Sequence, residues 1–201
     1  MRDILKPALV LLAICAGVTI ILALVFNGTK PIIAERAAAD LAAAKKEVLA
    51  TADTFADLKL PEGFATDEPL QTIKAVYVGT KGGTYEGIVV SALSRGYDAA
   101  GVVLTVGITK DGVITGIHVG DQKETPGLGT KVLDKAEAYM PQYNNLKPEG
   151  DLKLVKNKPA SGPASDIDAV TGATITSRSV WRAVQGALEF SRKLTPEGAL
   201  K

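Results

Sequence analysis

From Ala8 to Phe26 the chain carries only apolar or small residues, with no Asp, Glu, Lys, Arg or His. About 19 such residues in a row reach the length at which an α-helix crosses the hydrocarbon core of a bilayer. A helix that is apolar all round must be buried in a large core or in lipid. Arg2 and Lys6 precede the run, and Asn27, Gly28 and Lys30 follow it. The core is longer than that of a signal peptide, and no A-x-A cleavage site follows. Ile14 before Cys15 leaves no small residue there for a lipoprotein anchor. We therefore expect residues 1–28 to be an uncleaved single-pass anchor, spanning about 8–26. Without an ionisable group the span is no ion path by itself. Lys30, Arg36, Lys45 and Lys46 lie beyond it, so the charge count does not favour a cytoplasmic N-terminus, although long domains translocate largely regardless of charge.

After the anchor, Ile33, Ala37, Leu41, Ala44 and Val48 fall at helical spacing in an Ala-, Glu- and Lys-rich segment. This predicts a connecting helix over 29–58 that carries a domain, 59–201, off the membrane. Leu60–Leu70, with Pro61, Gly63 and Pro69, reads as a loop. Four runs rich in β-branched residues follow at Ile73–Val78, Gly87–Leu93, Gly101–Thr109 and Val113–Val119, with Lys110-Asp111-Gly112 as a hairpin turn between the last two. Val132, Leu133, Ala136, Tyr139 and Met140 predict a short helix ended by Pro141. Leu152–Val155 reads as an edge strand and Asn157–Asp166 as a loop. Val180, Trp181, Val184, Ala187 and Leu188 make the stripe of an amphipathic helix, with Thr176, Ser177 and Ser179 as candidate N-caps. The fold class is α+β, one domain on a mainly antiparallel sheet.

Composition narrows the function. The 201 residues carry a net charge of +1, and no basic stripe with interleaved aromatics suggests nucleic acid. A single cysteine, Cys15, leaves no intrachain disulfide, no Cys-based zinc site and no iron–sulfur ligand set. The single histidine, His118, sits in an alternating run and reads as a strand residue. A Ser-His-Asp hydrolase has little to stand on.

Two short words remain. Asp168–Thr174 reads Asp-Ala-Val-Thr-Gly-Ala-Thr and opens directly into the helical stripe, and Glu124–Gly129 reads Glu-Thr-Pro-Gly-Leu-Gly. In bland terms the first is a turn with a helix cap and the second a Pro-Gly turn. In chemical terms, Gly172 and Ala173 leave the backbone open to a bulky nucleotide beside the Thr174 hydroxyl, and Asp168 and Thr171 can lock the turn through local hydrogen bonds. A phosphate on Thr174 would lie near the N–H groups of a helix start. Glu124 and Thr125 would offer polar contacts to a planar ring, with Gly127 giving the close backbone and Leu128 an apolar face.

Together and in this order the words resemble the FMN-binding domain of the G subunit of the Rnf electron-transport complex, and of the related C subunit of the sodium-pumping NADH:quinone reductase. The resemblance implies FMN bound by a phosphoester to Thr174, delivered from FAD by a flavin transferase of the ApbE family. It implies a domain on the extracytoplasmic side of the cell membrane. The other Rnf-type subunits would be its partners, in a machine coupling ferredoxin oxidation and NAD reduction to Na⁺ or H⁺ translocation. The family often has a histidine two residues before the glutamate, where this chain has Gln122. Tyr97 is a further pocket candidate or a core aromatic. Other readings are the sodium-pump component itself, a stand-alone anchored FMN carrier, and a pilin-like structural protein, whose processing site and early helix glutamate are missing here.

Overall fold

The computed structural model describes residues 2–60, 69–98, 100–134, 139–159 and 161–194. The predicted loop around Pro61 and Gly63, and Ala136 of the predicted short helix, lie outside these residues. The chain divides into two compact units, Met1–Ala42 and Ala43–Lys201.

Helix α1 runs from Arg2 to Val48, with Pro7 and Pro31 inside it. Each proline withdraws one N–H from the helical ladder. In the first unit Leu9, Leu12, Ile21 and Leu24 are all exposed. Among the described residues this is the one helix long and apolar enough, by length and composition, to cross a membrane. Membership of the family reported below makes it the membrane anchor.

The second unit starts from the last turns of α1. The connecting helix expected over 29–58 stops at Val48, and Thr54–Leu58 is instead strand β1. Thr54 and Phe55 favour extended backbone. An antiparallel ladder with β2, from Thr54↔Thr80 to Leu58↔Val76, gives their backbone its partners. Strands β2 (Ile73–Lys81), β3 (Thr84–Ser94), β4 (Val102–Thr109) and β5 (Ile114–Gln122) complete a five-stranded sheet in sequential order, antiparallel throughout. The predicted hairpin at Lys110–Gly112 closes as expected, with Gly112 N donating to Thr109 O at 2.9 Å.

Period-two alternation gives this sheet two different faces. Leu104, Val106 and Ile108 of β4 point into the main core together with Val180, Val184, Ala187 and Leu188 of helix α3 (Thr174–Arg192). Burying each large aliphatic side chain is worth about 1.5–3 kcal/mol, and Leu188→Ala would cost about 2–5 kcal/mol. On the opposite face the end of α1 lies close enough that a side chain on Gly107 would strike the Val48 carbonyl, and one on Gly79 the Leu49 side chain. The Thr115 hydroxyl donates to that Val48 carbonyl, satisfying one of the acceptors a helix C-terminus leaves open.

Between the sheet and α3 the chain differs from expectation in two places. The predicted helix around Val132–Met140 is a short α2 (Thr130–Leu133) and a separate 3₁₀ turn, Met140–Tyr143. Pro141 opens that turn rather than ending a helix, since its missing N–H costs nothing in a first turn. The expected edge strand forms as β6 (Lys153–Val155), and the difference lies in its partner: it pairs in parallel with β7 (Asp166–Asp168) in a small separate sheet. Strand β7 lies at the end of what read as a loop, and its Ile167 is fully buried.

Candidate functional site

The Asp168–Thr174 word is the connection from β7 to α3. Gln142 fixes its first residue: Asp168 N donates to Gln142 Oε1 at 2.8 Å, and Gln142 Nε2 donates to Asp168 O at 3.1 Å. Ala173 N then donates to Val170 O at 3.0 Å, closing a four-residue turn with Gly172 at φ 84°. That φ suits glycine at the third position of such a turn. A side chain there would meet nothing within 4 Å, so the outer side of the turn is open.

Helix α3 begins at Thr174, with Ala173 in the N-cap position and no side-chain cap. Thr176, Ser177 and Ser179, expected as N-caps, are buried within the first turns. Their hydroxyls hold the site from inside. Ser177 Oγ accepts from Val170 N at 3.1 Å and donates to Ala173 O at 3.0 Å, Thr176 Oγ1 donates to Glu124 Oε2 at 3.3 Å, and Ser179 is hydrogen-bonded to Ser94. Tyr139 donates its phenol to Ser177 O at 2.6 Å. Burial pushes the Tyr139 and Tyr143 phenols well up, so Tyr139 remains a donor.

Thr174 is half-buried on the first helical residue. The first amide to enter the helical ladder is Ser177 N, donating to Ala173 O at 2.9 Å. The amides of Thr174, Ile175 and Thr176 therefore face the helix start without a helical acceptor. A threonine at this first helical position, at the positive end of a 19-residue helix, is a setting for a phosphoester.

The Glu124–Gly129 word follows β5. Gln122, which stands where the family often has histidine, accepts from Glu124 N through its Oε1 at 2.7 Å. Leu128 N and Thr130 N both donate to Thr125 O, at 3.2 and 3.4 Å, and Gly127 N donates to Thr130 Oγ1 at 2.9 Å. Gly127 takes φ 75°. Thr125, Gly127 and Leu128 are exposed, but Glu124 is only 4% exposed. Its carboxylate reaches the Thr176 hydroxyl, two residues past the end of the other word, so this hydrogen bond joins the loop to the first turn of α3. Tyr97, considered as a core aromatic, is 66% exposed and is not part of the core. It follows Gly96, which packs against Glu124 and Thr176.

The site's polar atoms suit FMN. Glu124 Oε1 and Asp168 Oδ1 are buried acceptors that find no donor among the described residues, and the ribityl hydroxyls and ring N–H of FMN are donors. The helix start suits its phosphate. The exposed loop and Tyr97 would offer backbone and an aromatic ring to its isoalloxazine. His118 takes no part: it lies on β5 with Nδ1 2.6 Å from Glu47 Oε2. No cluster of metal-ligating side chains occurs among the described residues.

The chain is similar to known proteins. The family model described as FMN-binding domain matches residues 96–189, a stretch that opens at Gly96 and contains both words. The one described as RnfG N-terminal region matches residues 1–48. The G subunit of the Na(+)-translocating ferredoxin:NAD(+) oxidoreductase complex of Acetobacterium woodii is 31% identical, over 96% of this chain and 94% of that one. The chain belongs to the family of Rnf complex G subunits. The G subunit of an ion-translocating oxidoreductase complex from Methanosarcina acetivorans is 30% identical, over 94% of this chain and 95% of its own length. The crystal structure of Shewanella oneidensis NqrC overlaps 67% of this chain and 68% of that one, at 22% identity and a TM-score of 0.47.

Within the Rnf family frame, several site residues were not legible in the sequence. Gln142 lies 26 positions before Asp168, in a segment with no word of its own. Gly96 carries no local signal in Arg95-Gly96-Tyr97. Thr176 was legible as a hydroxyl near a helix start, and its inward orientation emerges only in three dimensions.

Proposed function

We propose that this Rnf-type protein carries FMN as a phosphoester on Thr174 and relays electrons from the extracytoplasmic face of the membrane. Family membership makes the chain the FMN-carrying electron-transfer subunit of an Rnf-type complex, anchored by α1. The attachment, the side of the membrane and the maturation route are the finer parts of the reading. One observation carries it: Thr174 is the first residue of α3, beside three amides without helical acceptors and next to the open turn at Gly172.

Bound FMN supplies the redox chemistry, accepting and passing electrons. The chain supplies position. Joining Thr174 Oγ1 to the FMN phosphorus of FAD would release AMP and the hydroxyl proton, with a flavin transferase of the ApbE family providing the general base. The α3 amides would then hold the phosphate. The Thr125–Leu128 turn and Tyr97 would flank the ring. Covalent attachment suits an extracytoplasmic site, where no FMN pool replaces lost cofactor. The other subunits of the complex would be its electron partners, between ferredoxin and NAD on the scale of the whole machine.

Sidedness has a direct test. A reporter active only outside the cytosol, fused after Lys201, should work, and one active only inside should not. The reverse pattern would put Thr174 out of reach of an extracytoplasmic transferase and would overturn this placement.

A further inference from the structure

The Glu124 carboxylate is the point where three separate segments touch. A side chain added at Gly96, after β3, would collide with Oε1, and one added at Gly129, at the end of the loop, would collide with Oε2. From α3, Thr176 donates to Oε2 at 3.3 Å. Both glycines are there for space: each admits one oxygen of the same buried group.

A second observation concerns the neighbours of these contacts. Among the described residues of the second unit, the exposed large hydrophobic side chains are Tyr97 at 66%, Leu128 at 48% and Ile175 at 59%. Tyr97 follows Gly96, Leu128 precedes Gly129 and Ile175 precedes Thr176. Each exposed apolar side chain is thus the chain neighbour of a residue that meets the carboxylate. Adjacent Cα atoms lie about 3.8 Å apart, so the three are tied to one centre.

We propose that Glu124 is a positioning residue, whose buried carboxylate fastens the β3 end, the Pro-Gly loop and the α3 start together and so aligns Tyr97, Leu128 and Ile175 around the flavin. The inference rests on the FMN reading above, and it adds a positioning role to the polar contact that Glu124 would offer. A carboxylate with one oxygen bonded to Thr176 and the other without a donor is costly to bury. A core optimised only for stability would not keep it. Its shape and its reach to three segments are what the site uses.

The test uses the full-length chain, prepared with and without a flavin transferase in the host. Thr176→Val removes the donor at nearly constant volume, Thr176→Ser keeps it, and Gly129→Ala displaces the carboxylate from the other side. Leu188→Ala is the control, a core change on the same helix remote from the carboxylate. In the unlabelled chain, Thr176→Val and Gly129→Ala should speed amide exchange at Gly127, Leu128 and Thr130 by about tenfold, the loss that one buried hydrogen bond of ordinary net strength carries. In the labelled chain both should shift the flavin's midpoint potential and visible band. Thr176→Ser should restore both readouts, and Leu188→Ala should lower the melting temperature without moving the potential. Unchanged exchange and unchanged potential in a folded Thr176→Val or Gly129→Ala chain would overturn the proposal. A wild-type chain that takes up no flavin would instead defeat the FMN reading, and amide exchange would still decide whether Glu124 fastens the loop.

Discussion

The two words of the site are built on different principles. The Asp168–Thr174 turn is held from within: Gln142 pins Asp168, Ser177 ties Val170 to Ala173, and Tyr139 braces the Ser177 carbonyl. The Glu124–Gly129 loop is a backbone turn around Thr125 O, fastened to the helix side through one buried carboxylate. A densely bonded turn suits a covalent bond, which needs one hydroxyl in one place. A loop held at a single point suits contact with a planar ring, whose electronic state responds to small displacements. The first word should therefore govern whether the flavin is attached, and the second how it behaves once attached.

Substitutions can break that division. The largest effect belongs to Thr174→Ala, which should abolish flavin attachment completely while changing stability by no more than about 0.5 kcal/mol, as expected for a half-exposed side chain. Absorbance and mass of the purified variant check the first part and a melting curve the second. Next is Gly172→Val. The turn needs φ 84°, and a β-branched residue there costs about 1–3 kcal/mol, so the labelled fraction should fall severalfold. Gly127→Val should act differently although Gly127 also sits at positive φ: labelling persists, but the absorption band and midpoint potential shift. Leu128→Ala should give the smallest change, a weaker shift in the same readouts with full labelling. If the Gly127 variant lost its label, or the Gly172 variant kept it and changed only its spectrum, the division would fail.

The main sheet was legible because its physics is local. Leu104, Val106 and Ile108 alternate along β4, a turn that announces itself joins β4 to β5, and the stripe from Val180 to Leu188 has one periodicity. The parts that misread depend on distant partners. Thr54–Leu58 becomes a strand because β2 offers an edge, and Asp166–Asp168 because β6 does. In the site, the turn at Gly172 was readable from its residue types. The inward orientation of Thr176 and the clamp from Gln142 were not, since each is defined by a residue far away in the chain. Glu124 was visible as a polar member of its word, but its burial was not, because only the folded chain sets Gly96 and Gly129 against it.

Covalent FMN on Thr174 is decided by peptide mass spectrometry of denatured, full-length protein from a host with a flavin transferase. One FMN per chain is expected, carried as a phosphoester on the peptide containing Thr174 and mapped by fragmentation to that residue. The same label on Thr171 or Thr176 would contradict the geometry of the α3 start, and a chain of unmodified mass would contradict the covalent reading altogether.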